Sequence, residues 1–135
     1  MKVHSTNYDD VLITPSPDSK ATLGPVVPKS GSIGAMQYDR LRAAPYAMTS
    51  DELIVAVLAT RKDIPEDDLP AFQAEYFSKG QPCLRVSPLV KTMGWALHHD
   101  SESRVALVDV ASARFAALMA DDSIRKIHGM RNKRA

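Results

Sequence analysis

Apolar and polar positions along this chain change their period several times, and each change marks an element. Residues 8–14 (Tyr-Asp-Asp-Val-Leu-Ile-Thr) form a short, partly β-branched run closed by Pro15 and Pro17, which predicts a first strand. Residues 15–32 hold four of the nine prolines together with Gly24, Gly31 and several serines. That composition predicts a loop or arm within the domain. Residues 33–39 then alternate, with Ile33, Ala35 and Gln37 on one face and Met36 and Tyr38 on the other, predicting a second strand.

The period lengthens after residue 48. Thr49-Ser-Asp-Glu52 is a capping-box signature, and Leu53, Ile54, Val57 and Leu58 follow at helical spacing. Arg61 and Lys62 suit the negative end of that helix. Four acids and Pro65 between residues 63 and 68 open a second helix, with Leu69, Phe72, Tyr76 and Phe77 as its apolar face and Gly80 as its stop. Residues 83–87 predict a short strand. Residues 93–99 alternate, Met93, Trp95, Leu97 and His99 against Gly94, Ala96 and His98, and residues 104–110 return after the turn-forming residues 100–103 as a hairpin partner. Two helical patterns close the chain, one on Phe115, Leu118 and Met119, the other on Ile124, Ile127 and Met130.

Strands and helices therefore come in runs. The expectation is an α+β fold, a mostly antiparallel sheet of about four strands packed by about four helices in two layers. The 135 residues suit a single domain, and 44% hydrophobic with 24% charged residues is ordinary globular composition.

Charge and cysteine content narrow the classes. Seventeen Lys and Arg against sixteen Asp and Glu leave a net charge of +1, far from the basic excess of a nucleic-acid or anionic-membrane binder. Cys83 is the sole cysteine, so an internal disulfide and a multi-cysteine zinc site are excluded. A lone thiol, no apolar leader segment and no run of about 18 apolar residues together predict a cytoplasmic protein that does not enter a membrane.

The densest chemistry runs from residue 77 to residue 99. It contains Lys79, Gln81, Cys83, Arg85, Ser87, Lys91, Trp95, His98 and His99. Cys83 with His98 or His99 is a candidate thiolate pair if an imidazole reaches the sulfur, although a single cysteine more commonly packs as a small hydrophobe. Adjacent strand residues alternate, so His98 and His99 face opposite ways and do not form a two-histidine metal site; His4 and His128 are distant in sequence. No metal set and no cofactor is expected. Arg85 and Lys91 suit an anionic group such as carboxylate or phosphate, and Trp95 suits a core anchor. The stretch from Gly24 to Ser30 fails as a phosphate loop because Pro28 precedes the lysine and prolines donate no backbone N–H. Arg125, Lys126, Arg131, Lys133 and Arg134 make the last residues basic, an arrangement that a solvated helix end explains more simply than nucleic-acid contact.

Several stretches taken together resemble a known family. They are His4-Ser-Thr-Asn-Tyr8, Pro45-Tyr46 with Thr49-Ser-Asp51, Phe77-Ser-Lys-Gly-Gln-Pro-Cys83, Ser87-Pro-Leu89 with Lys91, Gly94-Trp95 with His98, and Met130-Arg131 with Lys133-Arg134. The chain is similar over nearly its whole length to small uncharacterised bacterial proteins classed as a domain of unknown function. The resemblance implies a stand-alone, soluble, single-domain protein and transfers no activity, cofactor or catalytic residue. The chain departs from the pattern at Ala96, where glycine is expected.

The leading expectation is a domain that binds a small ligand or a protein partner, without catalysis, through Lys79, Gln81, Arg85, Ser87, Lys91, Trp95 and His98. The alternatives are a thiol-dependent enzyme using Cys83 with His98 or His99, and a nucleic-acid accessory protein using the basic C-terminal segment. Homodimerisation is left open by the sequence.

Overall fold

The computed structural model describes residues 5–19 and 25–131. At its centre is β1 (Val11–Thr14), the predicted first strand in shortened form. It pairs antiparallel with β2 (Ala96–His99) on one side and parallel with β4 (Arg125–His128) on the other; β3 (Val105–Val108) lies beyond β2. The sheet order is β3-β2-β1-β4, a mostly antiparallel sheet with one parallel pair, and the α+β class follows.

Because side chains alternate along a strand, the register sorts residues to two faces. Val11 pairs with His99 and Arg125, and Ile13 with Leu97 and Ile127, on the first face. There Val11, Ile13, Leu97 and Val105 join Tyr38, Leu41, Leu53, Leu84 and Leu89 in the main core. Leu12 pairs with His98 and Lys126 on the second face, where Leu12, Ala96 and Val108 meet Leu118 and Ile124 in a smaller cluster.

The helices follow from local chemistry. α1 (Ile33–Ala43) starts at Ser32, whose hydroxyl accepts from the Ala35 N–H at 3.1 Å. The strand expected over 33–39 is therefore wrong: Gly34, Ala35, Gln37, Tyr38 and Leu41 are buried, a helical and not an alternating set. Gly34 permits close contact, since a Cβ there would stand 3.3 Å from the Pro88 side chain. α2 (Ser50–Arg61) carries the expected capping box, with Thr49 accepting from the Glu52 N–H at 3.2 Å and Glu52 from the Thr49 N–H at 3.0 Å. A 3-10 turn (Glu66–Asp68) leads into α3 (Leu69–Tyr76), none of whose residues is fully buried.

The segment expected as a strand over 83–87 is instead a 3-10 turn (Leu84–Val86) followed by α4 (Pro88–Lys91). Ser87 caps α4 by accepting from the Leu89 N–H at 3.2 Å, and Pro88 supplies the fixed φ of a first helical residue. The β2–β3 hairpin is as expected, its turn held by Asp100, whose carboxylate accepts from the Glu102 and Arg104 N–H groups, each at 2.9 Å. After β3, α5 (Ala113–Ala120) crosses the second face.

The last expected helix, on Ile124, Ile127 and Met130, is also corrected: these residues contribute to or flank β4. Asp121 accepts from the Ser123 N–H at 2.9 Å and ends the helical run. Arg125 N–H then donates to the Asp10 carbonyl (2.9 Å) and Gly129 N–H to the Thr14 carbonyl (2.8 Å), which locks the strand beside β1. A Cβ on Gly129 would stand 3.1 Å from the Val90 carbonyl oxygen, a tight contact that glycine avoids where the strand end passes α4. Among the expected positions, His4, Gly24, Lys133 and Arg134 lie outside the described residues.

Replacing the α2 cap tests this local account. Thr49→Ala is expected to lower unfolding stability by about 1 kcal/mol, measured by urea denaturation, with an unchanged m-value.

Candidate functional site

The 82–88 segment leaves the end of α3 extended, turns once at Leu84–Val86 and starts α4. Its path opens a groove of about 280 Å³ against α1 and α2. Ile54, Val57 and Leu58 of α2, Ile33 of α1 and Leu84 and Val86 of the segment give it apolar walls, and Tyr76 closes one end. Ile33 and Val86 remain 38% and 41% exposed at its mouth. Two polar side chains line it from within the fold: the buried Ser87 hydroxyl donates to Gln37 Oε1 at 2.6 Å. Cys83 also lines it.

Cys83 is half-buried, and its sulfur accepts from the Tyr8 hydroxyl at 3.2 Å. Burial, then this hydrogen bond, push the Tyr8 phenol up to about 12, so it stays a neutral donor. The Tyr8 ring meets His99 edge-on, centroids 5.5 Å apart, and the Arg125 guanidinium lies 6.0 Å from the same ring. A phenol thus stands beside the thiol where the thiol-enzyme expectation requires an imidazole.

His99 is fully buried among Val11 and Val105, and neither ring nitrogen has a hydrogen-bond partner. Burial first, and the neighbouring His98 second, pull its pKa down to about 4. His98 faces α5. Its Nδ1 lies 2.7 Å from the Tyr46 hydroxyl, and Arg114 donates to that same phenol oxygen. The phenol oxygen thus joins the Arg114 guanidinium to the His98 ring in one hydrogen-bonded chain. Its pKa is lowered by burial and then by Arg114. Tyr46 reaches this position with φ +58°, a left-handed backbone that an aromatic residue rarely adopts.

The remaining expected site residues divide. Arg85 is used by the fold: its Nε donates to the His128 carbonyl at 2.6 Å and its own carbonyl accepts from the Met130 N–H at 2.8 Å, which staples the 82–88 segment to the end of β4. Trp95 donates through Nε1 to the Val26 carbonyl at 2.9 Å and packs its ring 5.5 Å from that of Tyr38, an anchor as expected. Lys91 ends α4. Lys79 and Gln81 line a second cavity of about 570 Å³ beyond Tyr76, with Lys62, Phe72 and Glu75. Of the basic C-terminal residues, Arg125 covers Tyr8 and the Lys126 ammonium donates to the Asp121 carbonyl; His128 meets the Thr14 hydroxyl at 2.9 Å.

Sequence reasoning missed Gln37, Tyr8, Tyr46 and Arg114. Only the burial of Gln37 on α1 had a local signal, the Ser32 cap, which marks a helix start. Among the described residues no helix is long and apolar enough to cross a membrane.

Fold and site together define a small α+β domain with an apolar groove beside one thiol and one buried hydroxyl–amide pair. The particular family is known from sequence. The model described as "Family of unknown function (DUF6157)" matches residues 3–135, and the chain belongs to that family. No curated protein and no solved structure matches it.

His99 gives a pH dependence. Its folded pKa of about 4 lies below its ordinary value of 6.5, so between the two the unfolded chain binds the extra proton. The stability contributed by neutral His99 is complete above the upper value and is lost as pH falls towards the lower one. The limiting slope is about 1.4 kcal/mol per pH unit. Urea unfolding of the wild type and of His99→Leu across that range checks it: the variant is expected to show the shallower slope, and equal slopes would place the acid sensitivity elsewhere.

Proposed function

We propose that this is a bacterial, cytoplasmic domain that binds a small, mainly apolar molecule in the groove between α1, α2 and residues 82–88. The observation that carries the reading is the lining itself: apolar walls around one buried hydroxyl–amide pair, Ser87 and Gln37, in a volume of about 280 Å³. Ligand sites characteristically combine mostly apolar walls with a few placed polar groups and begin near this size. The unpaired Cys83 at the groove suits a reducing compartment. The cations expected to hold an anion, Arg85 and Lys91, do not line the groove: Arg85 bonds the β4 end, and Lys91 ends α4. The apolar body of the ligand is therefore what this groove selects.

The neutral dye N-phenyl-1-naphthylamine probes the groove, and Cys83 reports on it. Dye fluorescence is expected to rise on binding, and saturating dye is expected to slow alkylation of Cys83. Ile33→Trp, which fills the mouth from an exposed position, is expected to weaken dye binding by at least about tenfold, or about 1.4 kcal/mol. Dye binding that ignores Ile33→Trp and leaves Cys83 alkylation unchanged would overturn the reading.

A further inference from the structure

Tyr76 has a cavity on each side. One is the groove just described; the other is the larger cavity of about 570 Å³ bounded by α3 and the end of α2. Gln81 lines the second cavity and Pro82, its neighbour in the chain, lines the first, so the two volumes meet along one stretch of backbone. Their chemistry differs. The groove has no charged residue in its lining. The second cavity has Lys62, Lys79 and Glu75, two positive charges against one negative, which leaves one positive charge in excess.

The position of Lys62 has a structural cause. It is the residue at the C-terminal end of α2, and its ammonium lies 5.6 Å from the centre of the Phe72 ring, held over α3. Phe72 in turn stacks on Tyr76 at 6.4 Å. Among the described residues neither Lys62, Lys79 nor Glu75 forms a salt bridge. Burial pushes the Tyr76 phenol up, so the wall between the cavities is uncharged at neutral pH and does not repel an anion.

We infer that the ligand is an amphipathic monoanion, its apolar body in the groove and its charged head beyond Tyr76 against Lys62 and Lys79. The inference rests on the groove reading above and adds the head group to it. The single positive excess matches one negative charge, and the polar cavity is the only one of the two that offers cations. A carboxylate head on a medium-length chain meets this description, and a dianionic phosphate head exceeds it.

Displacement of N-phenyl-1-naphthylamine by decanoate, decanol and decyl phosphate tests the inference on the full chain. Decanoate is expected to compete about tenfold more tightly than decanol at low salt, with the difference shrinking as salt rises. In the double variant Lys62→Met, Lys79→Met the carboxylate preference is expected to vanish while decanol competes as before. Equal competition by decanoate and decanol in the wild type would overturn the head-group assignment and leave the groove standing. A preference that survives the double variant would overturn the role of these lysines. Tighter competition by decyl phosphate would overturn the monoanion class. Failure of all three to displace a dye that does bind the groove would overturn the inference, and failure of the dye itself to bind would overturn the groove reading.

Discussion

The structure depends on β1 being paired on both edges and buried on both faces. Val11, Leu12 and Ile13 pair with β2 and β4 at once, Thr14 pairs with β4, and all four are buried. Burying an aliphatic side chain of this kind contributes roughly 1.5–3 kcal/mol, so Val11, Leu12 and Ile13 are a large share of a small domain's net stability. Their alternation divides the molecule. Val11 and Ile13 commit one face to α1, α2 and α4, while Leu12 commits the other to α5. Once the register of β2 is fixed against β1, His99 has to face the main core beside Val11, and His98 has to face α5. The two imidazoles are adjacent in sequence and have no common task.

The groove is a consequence of how the 82–88 segment is held at its two ends. At one end, Ser87 caps α4 and reaches Gln37 of α1; at the other, the Cys83 sulfur accepts from Tyr8. Between them Arg85 turns outward and bonds the end of β4 through both side chain and backbone. The Nε–H bond to the His128 carbonyl directs this arginine to the end of β4, and it does not line the groove. The segment therefore stands off α2 without collapsing onto it, and the apolar side chains of α2 that would otherwise have been covered line a groove.

What was legible in the sequence was local, and what was not depended on distant partners. The Thr49–Glu52 box and the Asp100 turn are chemistry within four residues, and both stand as expected. Residues 33–39 are too few to separate alternation from helical period, and the decision is made by the Ser32 cap and by Gly34 packing on Pro88, more than fifty residues away. β4 has helical spacing in its apolar residues, yet bonding to Asp10 and Thr14 makes it a strand. Ser87-Pro88 is the exception: a helix cap followed by a first-turn proline was present in the sequence, and the strand expected there overlooked it. For the site, the polar density around Cys83 and Ser87 was visible. The apolar walls were not, because they come from two helices whose facing sides are known only once packed.

Tyr8 joins the core to the groove. An imidazole buried with both nitrogens unpaired costs on the order of 1–3 kcal/mol, and the cost is bearable only while the ring stays neutral. The Tyr8 ring covers His99 edge-on, and its hydroxyl ends on the Cys83 sulfur. The chain that carries Tyr8 is itself tied down just upstream: Thr6 donates through both its N–H and its hydroxyl to the Asp51 carboxylate at 2.7 Å, and Ser5 donates at 2.8 Å, in the first turn of α2. That carboxylate also sits where the helix dipole favours negative charge. The same α2 that gives the groove its apolar wall thus fixes, through Asp51, the strap that sets the thiol's hydrogen bond and keeps the unpaired histidine dry. Loosening the strap would change the groove's only thiol and the core's least satisfied side chain together, because one phenol serves both.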